Sequence, residues 1–210
     1  MADSGDRLQR SVVPSDDALV AGTLAGSVEA FRMLVERFQR PVLSLIARMV
    51  GNRELAEDLA QEVFVKAYRK LALFDRQRKL SSWLFKIAHN TAIDHLRRSQ
   101  LDTVPLEAQS SEGEDSWDVL PANEAEGPER RAEHAELVRG LDAALGRMPP
   151  HYREILVLRF QQGLAYHEIA DITGLAMGTV KVQLHRARKR LASELAEAGF
   201  APPGRWQEKG

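Results

Sequence analysis

A basic segment, residues 181–190, concentrates cationic side chains within one part of the chain. No Asp or Glu occurs in it. The cations are Lys181, Arg186, Arg188, Lys189 and Arg190. At helical pitch, a set of apolar side chains forms a narrow stripe on another face. This stripe consists of Val180, Leu184, Ala187 and Leu191. We therefore predict a helix that packs on one side and meets the phosphates and base edges of DNA on the other.

A short apolar helix is predicted just before the basic one. Residues 166–172 include two isoleucines for burial, and Ala170 is small enough to let a second helix approach closely. Gly174 can end this helix in the left-handed conformation, and Thr179 or its neighbours can begin the next. The pattern is typical of a helix-turn-helix whose second helix enters the major groove. Helical bundles that touch no nucleic acid share it, although the spacing of Ala170, Gly174 and Val180 favours the DNA-binding alternative.

Composition excludes several classes of protein. The 210 residues suit one or two small domains, and the absence of cysteine excludes disulfides and thiolate zinc sites. The six histidines include no HExxH pattern, and no P-loop or G-x-S-x-G motif occurs, so we predict no metal, no cofactor and no catalytic site. The sequence has neither a membrane-spanning apolar run nor a hydrophobic signal core, which predicts a soluble, cytoplasmic protein without membrane insertion.

Charge is distributed unevenly beneath a formal net charge of −1. The segment 100–128 contains acidic residues and no basic ones, together with three prolines, and it has no sustained hydrophobic period. By contrast, residues 66–98 are strongly basic. We therefore predict two basic modules joined by an acidic linker.

Hydrophobic periodicity predicts an all-α fold of two small helical domains. The predicted helices of the first domain span about 15–25, 27–50, 53–74 and 81–98, and Pro41 is expected to kink or interrupt the second. Those of the second domain span about 129–146 and 150–162, followed by the helix-turn-helix. The predicted organisation is a disordered leader (1–14), a first domain (15–99), the linker (100–128), a second domain (129–196) and a tail (197–210).

Three segments in order resemble the extracytoplasmic-function (ECF) group of bacterial RNA polymerase sigma factors. They are LAEDLAQEVFVKAYRKL at 55–71, KLSSWLFKIAHNTAIDHLRR at 79–98, and MPPHYREILVLRFQQGLAYHEIADITGLAMGTVKVQLHRARKRL at 148–191. The resemblance implies sigma regions 2 and 4 on a flexible tether. Region 2 is then expected to bind the clamp region of core RNA polymerase and to open the minus-10 promoter element, and region 4 to read the minus-35 element as duplex. It also implies that the chemistry of polymerisation belongs to the polymerase, and that an anti-sigma factor is a partner.

The resemblance assigns residues to three surfaces. The minus-35 residues are Thr179, Lys181, Val182, Gln183, His185, Arg186, Arg188 and Lys189. The minus-10 residues are Arg78, Lys79, Ser82, Trp83, Lys86 and Asn90, although Trp83 heads an apolar stripe and fits a core position better than a base-stacking one. The core polymerase-binding residues are Glu57, Asp58, Gln61, Glu62 and Tyr68. For these acids, a solvated first helical turn is the alternative explanation.

The chain departs from the usual pattern of the group at both DNA-binding surfaces. Arg76-Gln77-Arg78 replaces a more usual Gly-Asp-containing loop, and Val182, Gln183 and His185 replace the Ser, basic or aromatic residues of many members. An outward-facing Val182 suits the methyl group of thymine. Two other classes remain as alternatives: a free-standing helix-turn-helix repressor or response regulator, and a structural interaction protein. The first would need a βα receiver pattern in its first half, and the second leaves two basic modules unexplained.

Overall fold

The computed structural model describes residues 13–102 and 128–200, which contain eight α-helices and no β-strand. The helices are α1 (Asp16–Leu24), α2 (Val28–Val50), α3 (Arg53–Lys70), α4 (Leu80–Asp102), α5 (Pro128–Gly146), α6 (Pro150–Leu156), α7 (Tyr166–Thr173) and α8 (Met177–Glu197). The all-α prediction is confirmed. The predictions for the leader up to residue 12, for the linker over 103–127 and for the tail from residue 201 lie outside the described residues.

Side-chain caps fix the starts of the first three helices. Ser15, Ser27 and Asn52 accept hydrogen bonds from backbone amides three residues later, at 3.2, 3.2 and 2.9 Å. Each bond satisfies an N–H group that the first helical turn leaves without an intrahelical partner. Gly51 ends α2 with φ at 74°, and this left-handed conformation lets the chain reverse into α3 within two residues.

Helix α2 is the central helix of the first domain, which comprises α1–α4. Apolar residues three and four positions apart are buried against α3 and α4, and they include Leu34, Phe38, Val42, Leu45, Ile46 and Met49. The alternative that Pro41 interrupts this helix is wrong, because α2 runs unbroken from Val28 to Val50. Proline removes one N–H donor, and burial of the long apolar stripe offsets that cost.

The ends of α3 and α4 differ from the sequence prediction. The helix predicted to reach Phe74 ends at Lys70, tightens into the 3₁₀ turn Leu71–Leu73, and leaves Phe74 buried beyond it. Helix α4 begins at Leu80 and continues to Asp102, about one turn further than predicted. Leu71, Phe74 and Leu80 are all buried, so core contacts of the connecting segment set the end of α3 and the start of α4.

The second domain comprises α5–α8, with α8 packed against α5, α6 and α7. The helix predicted over 150–162 is divided: α6 ends at Leu156, and a π-helical turn, Val157–Gln161, continues it. The two domains contact each other, since α6 lies against α2 and α7 lies against α4. Their buried apolar residues form one continuous cluster, so the minus-10 and minus-35 candidate surfaces belong to domains that touch.

Candidate nucleic-acid interface

The predicted recognition helix is α8, with one buried apolar face and one mostly exposed cationic face, as the sequence predicts. Val180, Leu184, Ala187 and Leu191 are buried, which confirms the predicted apolar stripe. Six of the predicted minus-35 residues are exposed and two are half-buried, Gln183 and Arg188. The exposed six are Thr179, Lys181, Val182, His185, Arg186 and Lys189. Val182 retains 50% exposure, so an apolar side chain stands in the middle of the cationic face.

The turn between α7 and α8 positions this face. Gly174 has φ at 71° and its amide donates to the carbonyl of Ala170 at 2.9 Å, which confirms the predicted left-handed end of α7. Helix α8 starts at Met177, and its N-cap, Ala176, provides no side-chain hydrogen bond. Thr179 is therefore an exposed residue of the first turn. The start of α8 leaves backbone amides available to an anionic ligand such as a phosphate.

Not all of the cations near this helix are equally available. Arg190 pairs with Glu194 one turn later at 2.7 Å, and Arg147 from the α5–α6 connection donates to the same carboxylate at 2.6 Å. The hydrogen bond from Arg147 is the main cause that lowers the pKa of Glu194 below its ordinary value. These contacts tie the end of α8 to the rest of the second domain. Arg190 is consequently less suited to a phosphate contact than the exposed Arg186 or Lys189.

The predicted minus-10 surface lies on the connection after α3 and on the first half of α4. Arg78, Lys79, Lys86 and Asn90 are exposed there. Trp83 is partly buried and packs against the core, with its ring centroid 5.3 Å from that of Phe74. This contact favours the core interpretation of Trp83 over the base-stacking one.

The second domain covers part of this surface. Ser82 Oγ donates to Glu168 Oε1 at 3.1 Å, and Lys79 Nζ lies 3.0 Å from the same oxygen. Arg78 donates to Asp171 Oδ2 at 3.3 Å. Burial would raise the pKa of Glu168, but the amide of Ala165, Lys79 and Ser82 donate hydrogen bonds that lower it below its ordinary value. Three predicted minus-10 residues are thus occupied by carboxylates of α7.

Further polar contacts join α2 and α4 to α5, to α6 and to the π-helical turn that continues α6. Arg48 donates to Asp142 at 2.6 Å, Ser44 donates to Gln161 at 3.0 Å, and His89 contacts Glu154. Sequence reasoning missed this interface. One signal was available in the sequence, since Arg48 falls beside the apolar stripe of α2. In the structure its side chain is only 4% exposed.

A groove of about 490 Å³ lies between the two domains. It is lined by Asn90 of α4, a predicted minus-10 residue, and by Gln183 of α8, a predicted minus-35 residue. Arg97, His151 and Thr173 also line it. The structure therefore brings one residue from each predicted DNA-binding set to the same groove.

The predicted polymerase-binding residues lie along α3. Glu57, Asp58, Gln61 and Tyr68 are exposed, and Glu62 is half-buried. Glu57 pairs with Arg53 at 3.1 Å and Glu62 pairs with Lys66 at 2.7 Å, both within the helix. Tyr68 makes an edge-to-face contact with Phe31 of α2, with 4.8 Å between centroids. An apolar and acidic strip is therefore available on this side of the first domain.

Two further properties concern residues 13–102 and 128–200. No helix there is both long and apolar enough to cross a bilayer. Among the same residues, no three His, Cys, Asp or Glu side chains are grouped so that they could hold a metal ion.

Two sequence families match the chain, one in each domain. The family described as Sigma-70 region 2 matches residues 34–101. The family described as Sigma-70, region 4 matches residues 139–191. The first match coincides with α2–α4, and the second begins within α5 and extends to Leu191 of α8.

Curated relatives are similar over most of their length. The ECF RNA polymerase sigma factor SigW of Bacillus subtilis is 34% identical over 173 residues, which cover 82% of this chain and 92% of the relative. The RNA polymerase sigma-H factor of Pseudomonas aeruginosa is 34% identical over 185 residues, covering 86% and 93%. The ECF RNA polymerase sigma-E factor of Escherichia coli is 33% identical over 186 residues, covering 86% and 94%.

Solved structures share the fold. CnrH, solved in complex with the cytosolic domain of CnrY, gives a TM-score of 0.57 at 24% identity and covers 85% of this chain and 96% of that one. The sigma factor RpoE of Bartonella quintana, solved with the anti-sigma factor NepR, gives 0.59 at 24% identity and covers 80% and 98%. At this level of identity the likeness concerns the helical architecture.

Proposed function

This chain belongs to the ECF group of RNA polymerase sigma factors, which direct promoter-specific transcription initiation, and we propose how its two domains divide that work. The first domain binds core polymerase and the minus-10 element, and the second binds the minus-35 element as duplex. The observation that carries this division is that each domain matches a different sigma region and presents its own cationic surface.

For the minus-35 element, α8 lies in the major groove with its exposed face toward the bases. Lys181 and Arg186 are exposed on that face, and arginine can donate two hydrogen bonds to guanine O6 and N7. Val182 contacts a thymine methyl. Arg188 and Lys189 neutralise phosphates and give the binding its salt dependence.

For the minus-10 element, the connection after α3 and the start of α4 hold the single strand. Arg78, Lys79 and Lys86 supply charge for the backbone, and the amide of Asn90 pairs with the edge of an unstacked base. Ser82 adds a hydroxyl donor. Trp83 supports this surface from within, through its contact with Phe74.

For core polymerase, the exposed residues of α3 form the contact surface. Tyr68 is 53% exposed although it is large and partly apolar, and Gln61 is exposed two turns before it. Aromatic residues are enriched at protein interfaces relative to the rest of the surface. Glu57, Asp58 and Glu62 add carboxylates to this surface.

The remaining proposals follow from this role. The chain is not an enzyme and needs no cofactor, since the polymerase performs the chemistry. It acts in the cytoplasm, where polymerase and promoter DNA are found. An anti-sigma factor is a further partner, supported by the fold relative RpoE, whose structure contains one.

The test combines purified full-length chain with core RNA polymerase on a library of promoter DNA, followed by sequencing of the run-off transcripts. We expect transcripts that start downstream of shared minus-35 and minus-10 elements, and none from core alone. A chain that binds duplex promoter DNA tightly without core and starts no transcripts would instead be a free-standing helix-turn-helix regulator. The absence of strands over residues 13–102 already disfavours the receiver domain of a response regulator.

A further inference from the structure

The charge-complementary pairs between the two domains, among the described residues, place the cations or ring N–H groups on the first domain and the carboxylates on the second. On the first-domain side, Arg48, Arg78, Lys79 and His89 supply cationic or ring N–H groups. On the second-domain side, Asp142, Glu154, Glu168 and Asp171 supply carboxylates. The second domain therefore presents to α4 and its preceding connection the kind of charge that a nucleic-acid backbone would present.

Glu168 is at the centre of the contact with α4. Its side chain is only 10% exposed, although glutamate is rarely buried without partners. One carboxylate oxygen meets both Ser82 and Lys79, and the other accepts from the amide of Ala165 at 2.8 Å. Ser82 and Lys79 are two of the residues proposed to hold the minus-10 strand. Glu168 thus contacts two donors that the strand would also use.

The arrangement is incompatible with simultaneous binding of both promoter elements. Asn90 and Gln183 line the same groove. Minus-10 and minus-35 elements lie about 25 base pairs apart, which is about 85 Å of duplex at 3.4 Å per pair. The domains must therefore separate before both elements can be bound. The connecting segment 103–127 contains about 25 residues and has a greatest possible span of about 85 Å, which allows the separation.

The interface is suited to opening. Arg48 Nε and Arg153 Nε are buried without a hydrogen-bond partner, and such atoms retain the cost of their desolvation. The guanidinium groups of Arg48 and Arg153 also repel each other across the interface. The Arg48–Asp142 pair is buried, and a buried ion pair gains little over its desolvation cost. The Arg78–Asp171 pair is mostly exposed, and exposed pairs contribute little to stability. Polymerase binding to the first domain can consequently displace the second.

We propose that the free chain is held closed by an intramolecular latch in which Glu168 and Asp171 of α7 mimic the minus-10 strand on Arg78, Lys79 and Ser82. The latch rests on the proposed function for its biological meaning, because the surface that it covers is the proposed minus-10 surface. The exposed face of α8 stays uncovered in the closed form. In the free chain α7 thus engages Arg78, Lys79 and Ser82 of the minus-10 surface, while the exposed residues of the minus-35 surface have no such contact with the first domain among the described residues.

The absence of cysteine allows a direct test of the latch by fluorescence energy transfer. Exposed Gln39 and Ser193 are each changed to cysteine and labelled with a donor and an acceptor, which reports the distance between the domains in the full chain. The test variant carries Glu168→Gln and Asp171→Asn. Glutamine still accepts the Ala165 amide, so the start of α7 is retained. The matched control carries Glu136→Gln and Glu197→Gln, two exposed carboxylates of the same domain.

We expect lower energy transfer in the latch variant than in the parent or the control, with equal circular dichroism. A short fluorescein-labelled single-stranded DNA of randomised sequence should bind the free latch variant about tenfold more tightly, as when the binding-competent fraction rises from about a tenth to most of the population. Unchanged energy transfer overturns the latch. So does opening without tighter binding of the strand, and so does an equal effect in the control.

Run-off transcription with core polymerase separates this proposal from the proposed function. If parent and latch variant both initiate with saturating core while energy transfer is unaffected by the substitutions, the chain is a sigma factor without a latch. If the substitutions open the chain and neither form initiates, the closed contact exists and the proposed function is wrong. Addition of core should lower energy transfer in the parent to the value of the latch variant.

Discussion

The two proposed DNA-binding surfaces differ in whether their residues contact the other domain. On α8 the candidate residues are mostly exposed, and a separate buried stripe holds the helix in place. On α4 and the connection before it, Arg78, Lys79 and Ser82 contact carboxylates of the second domain. The minus-35 surface is accessible to a ligand, whereas part of the minus-10 surface already contacts carboxylates of α7.

This difference separates two requirements that one chain must meet. Duplex recognition needs a rigid helix with free side chains, which local packing alone can supply. A melted strand is present only inside the polymerase, where the duplex is opened. The minus-10 residues can therefore contact the second domain before that step without loss of function. The contrast teaches that an internal contact can hold functional side chains until the partner that uses them is bound.

The largest effect is expected from substitutions that break one domain at a time. Leu184 and Leu84 are both almost fully buried, the first beneath the minus-35 surface and the second beneath the minus-10 surface. Leu184→Ala and Leu84→Ala should each destabilise their own domain by about 2–5 kcal/mol, through lost burial and the cavity left behind. Hydrogen-exchange mass spectrometry in increasing urea measures this by region.

The two leucine variants serve as controls for each other. We expect faster exchange over α6–α8 with Leu184→Ala and over α2–α4 with Leu84→Ala. If either variant accelerates exchange equally in both domains, they unfold as one cooperative unit. The contrast between an independent surface and a covered one would then fail.

The next largest effect concerns how α8 reads sequence. Arg186→Ala should relax preference at one minus-35 position by about 1–3 kcal/mol, because a forked contact to guanine is lost. Lys189→Ala is the matched control, and it should weaken binding to every sequence alike and reduce the salt dependence. Holoenzyme binding to a randomised minus-35 library measures both. Uniform weakening by Arg186→Ala would make it a phosphate contact only.

Much of the fold was predictable because periodicity and cap residues are local signals. The stripe of α8, the left-handed Gly174 and the continuity of apolar spacing in α2 all follow from neighbours in sequence. The predicted interruption at Pro41 was wrong, because burial of the long apolar stripe of α2 stabilises the helix by more than the loss of one backbone hydrogen bond costs. The contact between Glu168 and Ser82 was not predictable in the same way. It joins residues 86 positions apart. In the sequence, only a hydroxyl at one position and a carboxylate at the other indicated that they could form a hydrogen bond.

A smaller effect distinguishes two lysines of the minus-10 surface. Lys79 and Lys86 are both exposed, and Lys79 contacts Glu168. Alanine at either position should reduce open-complex formation by the holoenzyme by about 0.5–1 kcal/mol, the value of an exposed charge contact. In the free chain, Lys79→Ala should also lower energy transfer between the domains, while Lys86→Ala should not. Equal behaviour of the two variants in the free chain would remove Lys79 from the latch.

The smallest effect is the pH dependence of closure, and its sign follows from Glu168. The pKa of this carboxyl lies below its ordinary value of about 4.3 in the closed chain, since its hydrogen bonds outweigh its burial. Its contribution to closure is therefore fully present above the ordinary pKa and is lost as pH falls through the lowered one. Other carboxylates at the interface titrate too, so the measured quantity is the difference in energy transfer between the parent and Glu168→Gln. That difference should be largest near neutral pH and vanish in acid, because a protonated glutamate and a glutamine are both uncharged. A difference that stays constant across this range would mean that the shape of the side chain, rather than its charge, holds α7 on α4.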